Sequence, residues 1–480
     1  MLFGLVLTDR DMRFPKRTFV MSVSLVDVLL VVSGCVLAPK EAKQEQARLD
    51  QAGEVYRGPF DKRELPELPP QPTWRDVLRR AFLANGDLEA AYHEWAMAVA
   101  RIQQAGSYPN SPVSVGFEYM FSDEAMKAWD RTTISAGFDA GESLLLPNKV
   151  YQSGKIATRD AQAAGERFAA AKFDLQRRVL NAWLDYALLA EKVRIQRENT
   201  SLLKLLNETA AGRVRAGGAQ QDLLRTDIEY RMGEDELRTM ESELPRMRAM
   251  LNAMLGRAPD APLAAPAVLP APRMVPADDA ALLAVGIAAN PELKALALET
   301  SGRRDALERA RMEYLPDINP FAAVTGDVAQ VVGVDVMLPT VLPRIRGMVK
   351  EARADLRRVQ AMSRQTRLDR AAGYVAAVYT LRNSERQAAL FEKQVLPAAQ
   401  RVLDSVRQSY SAGTGAYLDL IEAQRTLLDV RLTVAEAKAS REKNLADLEA
   451  LAGTDIETIS PKAATQPTTA PATQAEATHD

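Results

Sequence analysis

The sequence predicts a mainly α fold with a small β part, built twice over from a strand pair followed by a long helical hairpin. Three observations carry this. Two glycine-centred turns, Ala216-Gly217-Gly218-Ala219 and Ala412-Gly413-Thr414-Gly415-Ala416, each interrupt apolar repeats of helical spacing longer than a globular helix. The period switches from helical to two in only two places, each ahead of such a repeat. The second half of the chain then restates the order of the first.

Composition supports extended helices over a globular enzyme core, because an apolar fraction of 47% is paired with only 6% aromatic residues. A net charge of -2 leaves no basic field to hold nucleic acid. Two histidines, His93 and His479, and one cysteine, Cys35, are too few for a convincing Ser/His/Asp triad or zinc cluster. No catalytic residue, cofactor site or metal site is therefore assigned. His93 lies on an alanine-rich helix and reads as a packing or surface residue.

In chain order, residues 1–35 read as an export signal. Arg13, Lys16 and Arg17 precede an apolar run ending Val31-Val32-Ser33-Gly34-Cys35, and Met1 and Met12 are both possible starts. Small residues before a cysteine resemble the bacterial lipoprotein box, which implies cleavage before Cys35 and acylation of its sulfur. Residues 36–72 are charged and then proline-rich, through Leu65-Pro66-Glu67-Leu68-Pro69-Pro70, and read as a tether. Thr73 and Asp76 start the first repeat, residues 73–256, with a helix that pauses at Asn85-Gly86-Asp87.

A strand hairpin is expected over about 110–146, where Val113, Val115, Phe117, Tyr119 and Phe121 alternate with smaller or polar residues. Thr132, Ile134, Ala136 and Phe138 alternate in its second strand. Strands of this pattern suit a half-buried soluble sheet and a membrane barrel equally. The helix that follows carries two apolar stripes: Leu175, Val179, Ala182, Tyr186, Leu189 and Val193, beside Phe173, Leu180, Trp183, Ala187 and Ala190. Two stripes demand two neighbours, as in a ring of helices. After the turn, Leu237, Met240, Leu244, Met247, Leu251 and Met254 return the chain. At ~1.5 Å per residue, arms of roughly 40 to 60 residues reach on the order of 60 to 90 Å.

A Pro/Ala-rich connector at 257–277 leads to the second repeat, residues 278–455. Asn290-Pro291-Glu292-Leu293 echoes the Asn85 stretch, Leu338-Pro339 echoes Leu146-Pro147, and Gly413 echoes Gly217, at offsets of 205, 192 and 196. The changing offsets place about 13 extra residues in the first strand hairpin, whose partner spans about 317–339. Residues 456–480, rich in Thr, Ala, Pro and Gln, read as a disordered tail.

The duplicated plan, the Asn-Pro-Glu-Leu start, the Gly-to-Asp-Leu turns and the endings Leu251-Asn252-Ala253-Met254-Leu255-Gly256-Arg257 and Leu448-Glu449-Ala450-Leu451-Ala452-Gly453 resemble the TolC-type outer-membrane efflux family over roughly residues 73 to 455. Ala216 to Arg225 is similar to its heavy-metal-efflux, CzcC-like branch. The resemblance implies a TolC-like fold and a homotrimer, in which each chain lends four strands to one shared β-barrel and the helices close into a periplasmic α-barrel. It also implies an outer-membrane duct, passing drugs or metal cations, with a periplasmic adaptor and an inner-membrane transporter as partners. The physics agrees separately. No stretch after residue 35 supplies the ~18 to 20 apolar residues of a spanning helix, so a membrane crossing must use strands, and four strands leave open edges that only further copies can close.

Asp222 and Asp419, just after the turns, stand where the resemblance puts the periplasmic entrance, as threefold sets of carboxylates. Helix chemistry alone also accounts for an acid in a first turn. Gly217, Gly218, Gly413 and Gly415 serve the tight turns and offer a tip where a partner's hairpin could dock. Some relatives carry a basic residue near this turn that helps hold the tunnel shut, and Gly415 stands about there. Pro245 and Pro397 interrupt helical patterns and predict bends. The competing reading is a periplasmic coiled-coil adaptor or scaffold lipoprotein without a pore.

Overall fold

The computed structural model describes residues 37, 39–108, 113–121, 126–138, 145–217, 219–266, 268–276, 278–327, 329–412 and 414–456. Cys35 with the expected export signal, Gly218, Gly413 and residues 457–480 of the expected tail lie outside them. The helices are α1 (Lys40–Ala52), α2 (Trp74–Ala84), α3 (Gly86–Gly106), α4 (Pro147–Arg215), α5 (Gln220–Met254), α6 (Asp279–Ala289), α7 (Pro291–Arg311), α8 (Leu342–Leu390), α9 (Leu396–Ser411) and α10 (Tyr417–Ala452). The strands are β1 (Val113–Tyr119), β2 (Thr132–Phe138), β3 (Asp317–Thr325) and β4 (Ala329–Met337). The chain divides into two compact units. One comprises Met1–Ala47, Met97–Ala161 and Glu299–Arg358; the other comprises Arg48–Ala96, Gln162–Leu298 and Val359–Asp480.

The first unit holds one antiparallel sheet of order β1-β2-β3-β4, so pairing of β2 with β3 joins the strand pair of one repeat to that of the other. Its register sets Phe117 opposite Ile134, Ile134 opposite Val324, and Ile318 opposite Val336. Residues directly opposite share a face, so the apolar positions line up across the sheet. On the other face Glu118 meets Thr133, and the Thr133 and Thr325 hydroxyls are 3.0 Å apart. The apolar face is bare: Phe117 is 71% exposed, and Ile134, Val334 and Val336 are exposed as well.

Two local devices fix this sheet. The β3–β4 turn uses Gly326 at φ 48°, where an added Cβ would stand 2.4 Å from the Asp130 Cα, so the turn lies directly on the β1–β2 loop. Lys149, buried in the first turn of α4, donates to both Asp317 carboxylate oxygens at 2.9 and 3.0 Å and to the Leu315 carbonyl at 3.0 Å. The start of α4 is thereby tied to the start of β3.

In the second unit both stripes of α4 are covered. Leu175, Val179, Tyr186, Leu189 and Val193 are buried, and so are Leu180, Trp183 and Ala187. The duplication extends to single hydrogen bonds. Asn85 Oδ1 accepts from the Asp87 and Leu88 amides at 3.1 and 3.2 Å while its Nδ2 donates to Met254 O at 3.2 Å. Asn290 Oδ1 accepts from the Leu293 amide at 2.9 Å while its Nδ2 donates to Leu451 O at 2.6 Å. Each asparagine caps one helix and holds the end of a returning one. Thr73 and Asp76 form the expected capping box of α2.

Residues 40–62, read from the sequence as part of a tether, carry a 13-residue helix and two 3-10 turns. Within the second unit the Arg48 guanidinium pairs with Glu166 at 2.7 Å and lies over the Trp95 ring. Arg63 forks onto Glu89, and the Tyr56 hydroxyl donates to Phe82 O at 2.6 Å. Specific side-chain partners, rather than an apolar stripe, order this stretch. The connector is pinned in the same way: Leu263 is buried in the first-repeat core, Tyr186 donates to its carbonyl at 2.9 Å, and Arg273 reaches Glu442 and Glu449.

Candidate functional site

The two helical turns are built differently. Gly217 adopts φ 100° with open space around its Cα, so backbone freedom is what the position needs. Gly415 does not have positive φ; an added Cβ there would stand 2.9 Å from the Tyr410 amide nitrogen, and its own amide donates to Ser409 O at 3.1 Å. Closeness of backbones is what that position needs. Both turns belong to the second unit.

Asp222 lies in the first turn of α5, half-buried, and Asp419 lies in the first turn of α10, exposed. Neither helix has a side-chain cap, since Ala219 and Ala416 occupy the capping positions. Burial pushes the Tyr417 hydroxyl up to about 12, and the nearby Asp222 carboxylate adds to the rise. Tyr417 therefore remains a neutral phenol throughout ordinary pH.

Around these turns the hairpins are lashed together by residues that helical patterning does not single out. The Arg213 guanidinium lies 4.0 Å from the Tyr410 ring centroid and donates to Tyr410 O at 3.3 Å. Tyr410 meets Tyr417 edge-on at 5.8 Å, within an apolar cluster of Leu203, Leu420 and Ile421. Arg425 forks onto Glu229, Gln424 donates to Asn199 Oδ1 at 2.9 Å, and Arg431 pairs with Glu198 at 3.0 Å. The sequence signal for this seam is an aromatic residue, Tyr417, two positions after Gly413-Thr414-Gly415.

Pro245 lies inside α5, which runs unbroken past it. Pro397 follows a π-helical segment, Phe391–Val395, where the Leu396 amide donates to Phe391 O, five residues back. A proline one residue later cannot donate and crowds the carbonyl four before it, so the widened turn accommodates it. That segment borders a cleft of about 780 Å³ whose walls include Pro270, Glu385, Lys393, Arg431 and Arg441. Among the described residues there is no cluster of His, Cys, Asp and Glu able to hold a metal ion, and no helix long and apolar enough to cross a membrane.

The bare strands and the lashed hairpins are both parts of a fold shared with known proteins. In fold the chain matches TolC-type outer-membrane channels over about four fifths of its length, and residues 282–454 match the family described as Outer membrane efflux protein. It is similar to the cobalt-zinc-cadmium resistance protein CzcC of Cupriavidus metallidurans, with 24% identity over 366 residues, 75% of this chain and 85% of that one. In structure it resembles the outer-membrane protein VceC of Vibrio cholerae, with a TM-score of 0.65, 18% identity, and coverage of 79% of this chain and 96% of that one. The MtrE outer-membrane channel of Neisseria gonorrhoeae gives a TM-score of 0.65, 16% identity, and coverage of 80% and 89%.

Proposed function

We propose that this protein is the exit duct of a tripartite efflux system: a homotrimer anchored in the outer membrane through an acylated Cys35, with a long periplasmic part. One observation carries the reading. The register of the sheet gathers Phe117, Ile134, Val334 and Val336 on one face and leaves them uncovered, which suits lipid and not water. Strands of seven to nine residues span ~23 to 30 Å, matching the ~25 Å apolar band of a membrane barrel. The sheet has two edges, β1 and β4, and each unpaired backbone group would cost several kcal/mol in hydrocarbon, so further copies complete the barrel.

The duct performs no chemistry. An inner-membrane transporter supplies the energy, and a periplasmic adaptor docks at the hairpin turns around Gly217 and Gly415. Asp222 and Asp419, repeated by the trimer, attract cations and repel anions at the entrance. The name of CzcC makes divalent metal cations the cargo to test first. The test is subunit number after detergent extraction from outer membranes. Three copies per particle are expected, and a water-soluble monomer contradicts the proposal.

A further inference from the structure

Leu224, Ile228 and Met232 recur every four residues on one face of α5 and all three side chains are exposed. The internal duplication shows what such a face is for. Helices α5 and α10 begin at Gln220 and Tyr417, and the fully buried Leu251 and Leu448 near their ends keep that same spacing of 197. Leu224 is therefore the counterpart of Ile421. Ile421 is only 5% exposed, because it lies in the cluster that Leu203 and Leu206 of α4 help to form, whereas Leu224 is 57% exposed. The outgoing helices end at Arg215 and Ser411, a spacing of 196, which makes Val402 on α9 the counterpart of Leu206. Val402 is 53% exposed.

A pair of positions that share one cluster inside the chain is thus repeated as two bare positions. The chain contains a first hairpin against a second once, and only another copy can supply the reverse order, a second hairpin against a first. The bare face is also the more apolar of the two. Ile228 and Met232 stand where α10 has Arg425 and Asp429, and Arg425 is satisfied by Glu229 within the chain.

Resting on the oligomeric reading above, we propose that Leu224, Ile228 and Met232 of one copy pack against α9 of the next copy at Val402. This contact is head-to-tail, uses different surfaces on its two sides, and closes a ring when repeated.

The test is oxidative cross-linking in intact membranes of the full chain carrying Leu224→Cys and Val402→Cys together, with the wild type, whose one cysteine is Cys35, as reference. A disulfide needs Cβ atoms within about 4.5 Å, so bond formation reports the seam itself. The double variant is expected to give dimer and trimer bands on non-reducing gels, and each single variant none. The pair Leu206→Cys with Ile421→Cys is expected to link within one chain and leave the mass unchanged. If the double variant stays at monomer mass while detergent-extracted particles contain several copies, this seam is wrong and the oligomer stands. If the extracted particles are monomers, the seam and the reading beneath it both fall.

Discussion

Arg273 donates to Glu449 at 2.8 Å and to Glu442 at 3.1 Å, with both carboxylates almost wholly out of solvent, so the connector is held to α10 by a buried ionic contact. Burial pushes the Glu449 carboxyl above the usual carboxylate range even though Arg273 pulls it down. Removing the cation leaves the buried Glu449 without its partner, while Glu442 keeps Arg441. Arg273→Met is therefore expected to cost about 3 to 5 kcal/mol, whereas Glu449→Gln, which leaves Arg273 paired with Glu442, costs less than about 1 kcal/mol. Thermal unfolding in detergent checks both.

The pH dependence follows from the same group. A carboxyl whose folded pKa lies above its unfolded value binds more protons in the native state, so its contribution is stabilising at low pH and is lost as pH rises through the folded pKa. The wild type is expected to lose stability relative to Glu449→Gln across that rise. A difference constant with pH would mean that Glu449 does not titrate with folding.

Asn85 and Asn290 do the same work in the two repeats, and their replacement should cost similar amounts. Each Asn→Ala change removes a cap worth about 0.5 to 2 kcal/mol and a hydrogen bond to the returning helix worth about 1 kcal/mol more. Denaturation midpoints of the two variants are expected to fall together. A shift in one alone would show that the repeats are not energetically equivalent.

The turns should respond differently to the same substitution. Asparagine tolerates the left-handed region, so Gly217→Asn is expected to fold with a loss of at most about 1 kcal/mol. Gly415→Asn places a Cβ 2.9 Å from the Tyr410 nitrogen, and proteolytic nicking of the 409–417 segment should rise sharply. Equal sensitivity of both turns would contradict this division.

At the proposed entrance, changing both Asp222 and Asp419 to Ala should lower cation preference in bilayer recordings while leaving the subunit number unchanged. Retained preference would reduce both acids to partners of their helix dipoles.

Much of this architecture is legible in the sequence because its signals are local. The Thr73 capping box, the Asn85 and Asn290 starts, the paired stripes on α4 and the period-two runs at Phe117 and Val334 all lie within one element. What was not legible connects distant residues. The pairing of Ile134 with Val324, the Arg425–Glu229 contact and the Arg213–Tyr410 contact each join positions nearly 200 residues apart, and no periodicity encodes them. Helix α1 was missed because Lys-Glu-Ala-Lys-Gln-Glu-Gln-Ala-Arg-Leu-Asp-Gln-Ala has almost no apolar stripe, although its Leu49 is buried. The sequence treats Gly415 and Gly217 alike, as turn glycines, and only the approach of the Tyr410 backbone separates their roles.

The bare face of the sheet can be probed one residue at a time. A charge facing lipid near mid-strand costs about 2 to 4 kcal/mol in a membrane barrel, so Val334→Arg should sharply reduce the protein recovered from outer membranes. Thr133→Arg, on the opposite face, is expected to leave recovery nearly unchanged. Equal recovery of both would mean that the apolar face does not meet hydrocarbon.

The most direct measurement is single-channel recording of the purified oligomer in a planar bilayer. The account predicts discrete, cation-preferring conductance steps from particles of three copies. A bilayer that stays silent with correctly assembled, membrane-extracted protein would contradict it.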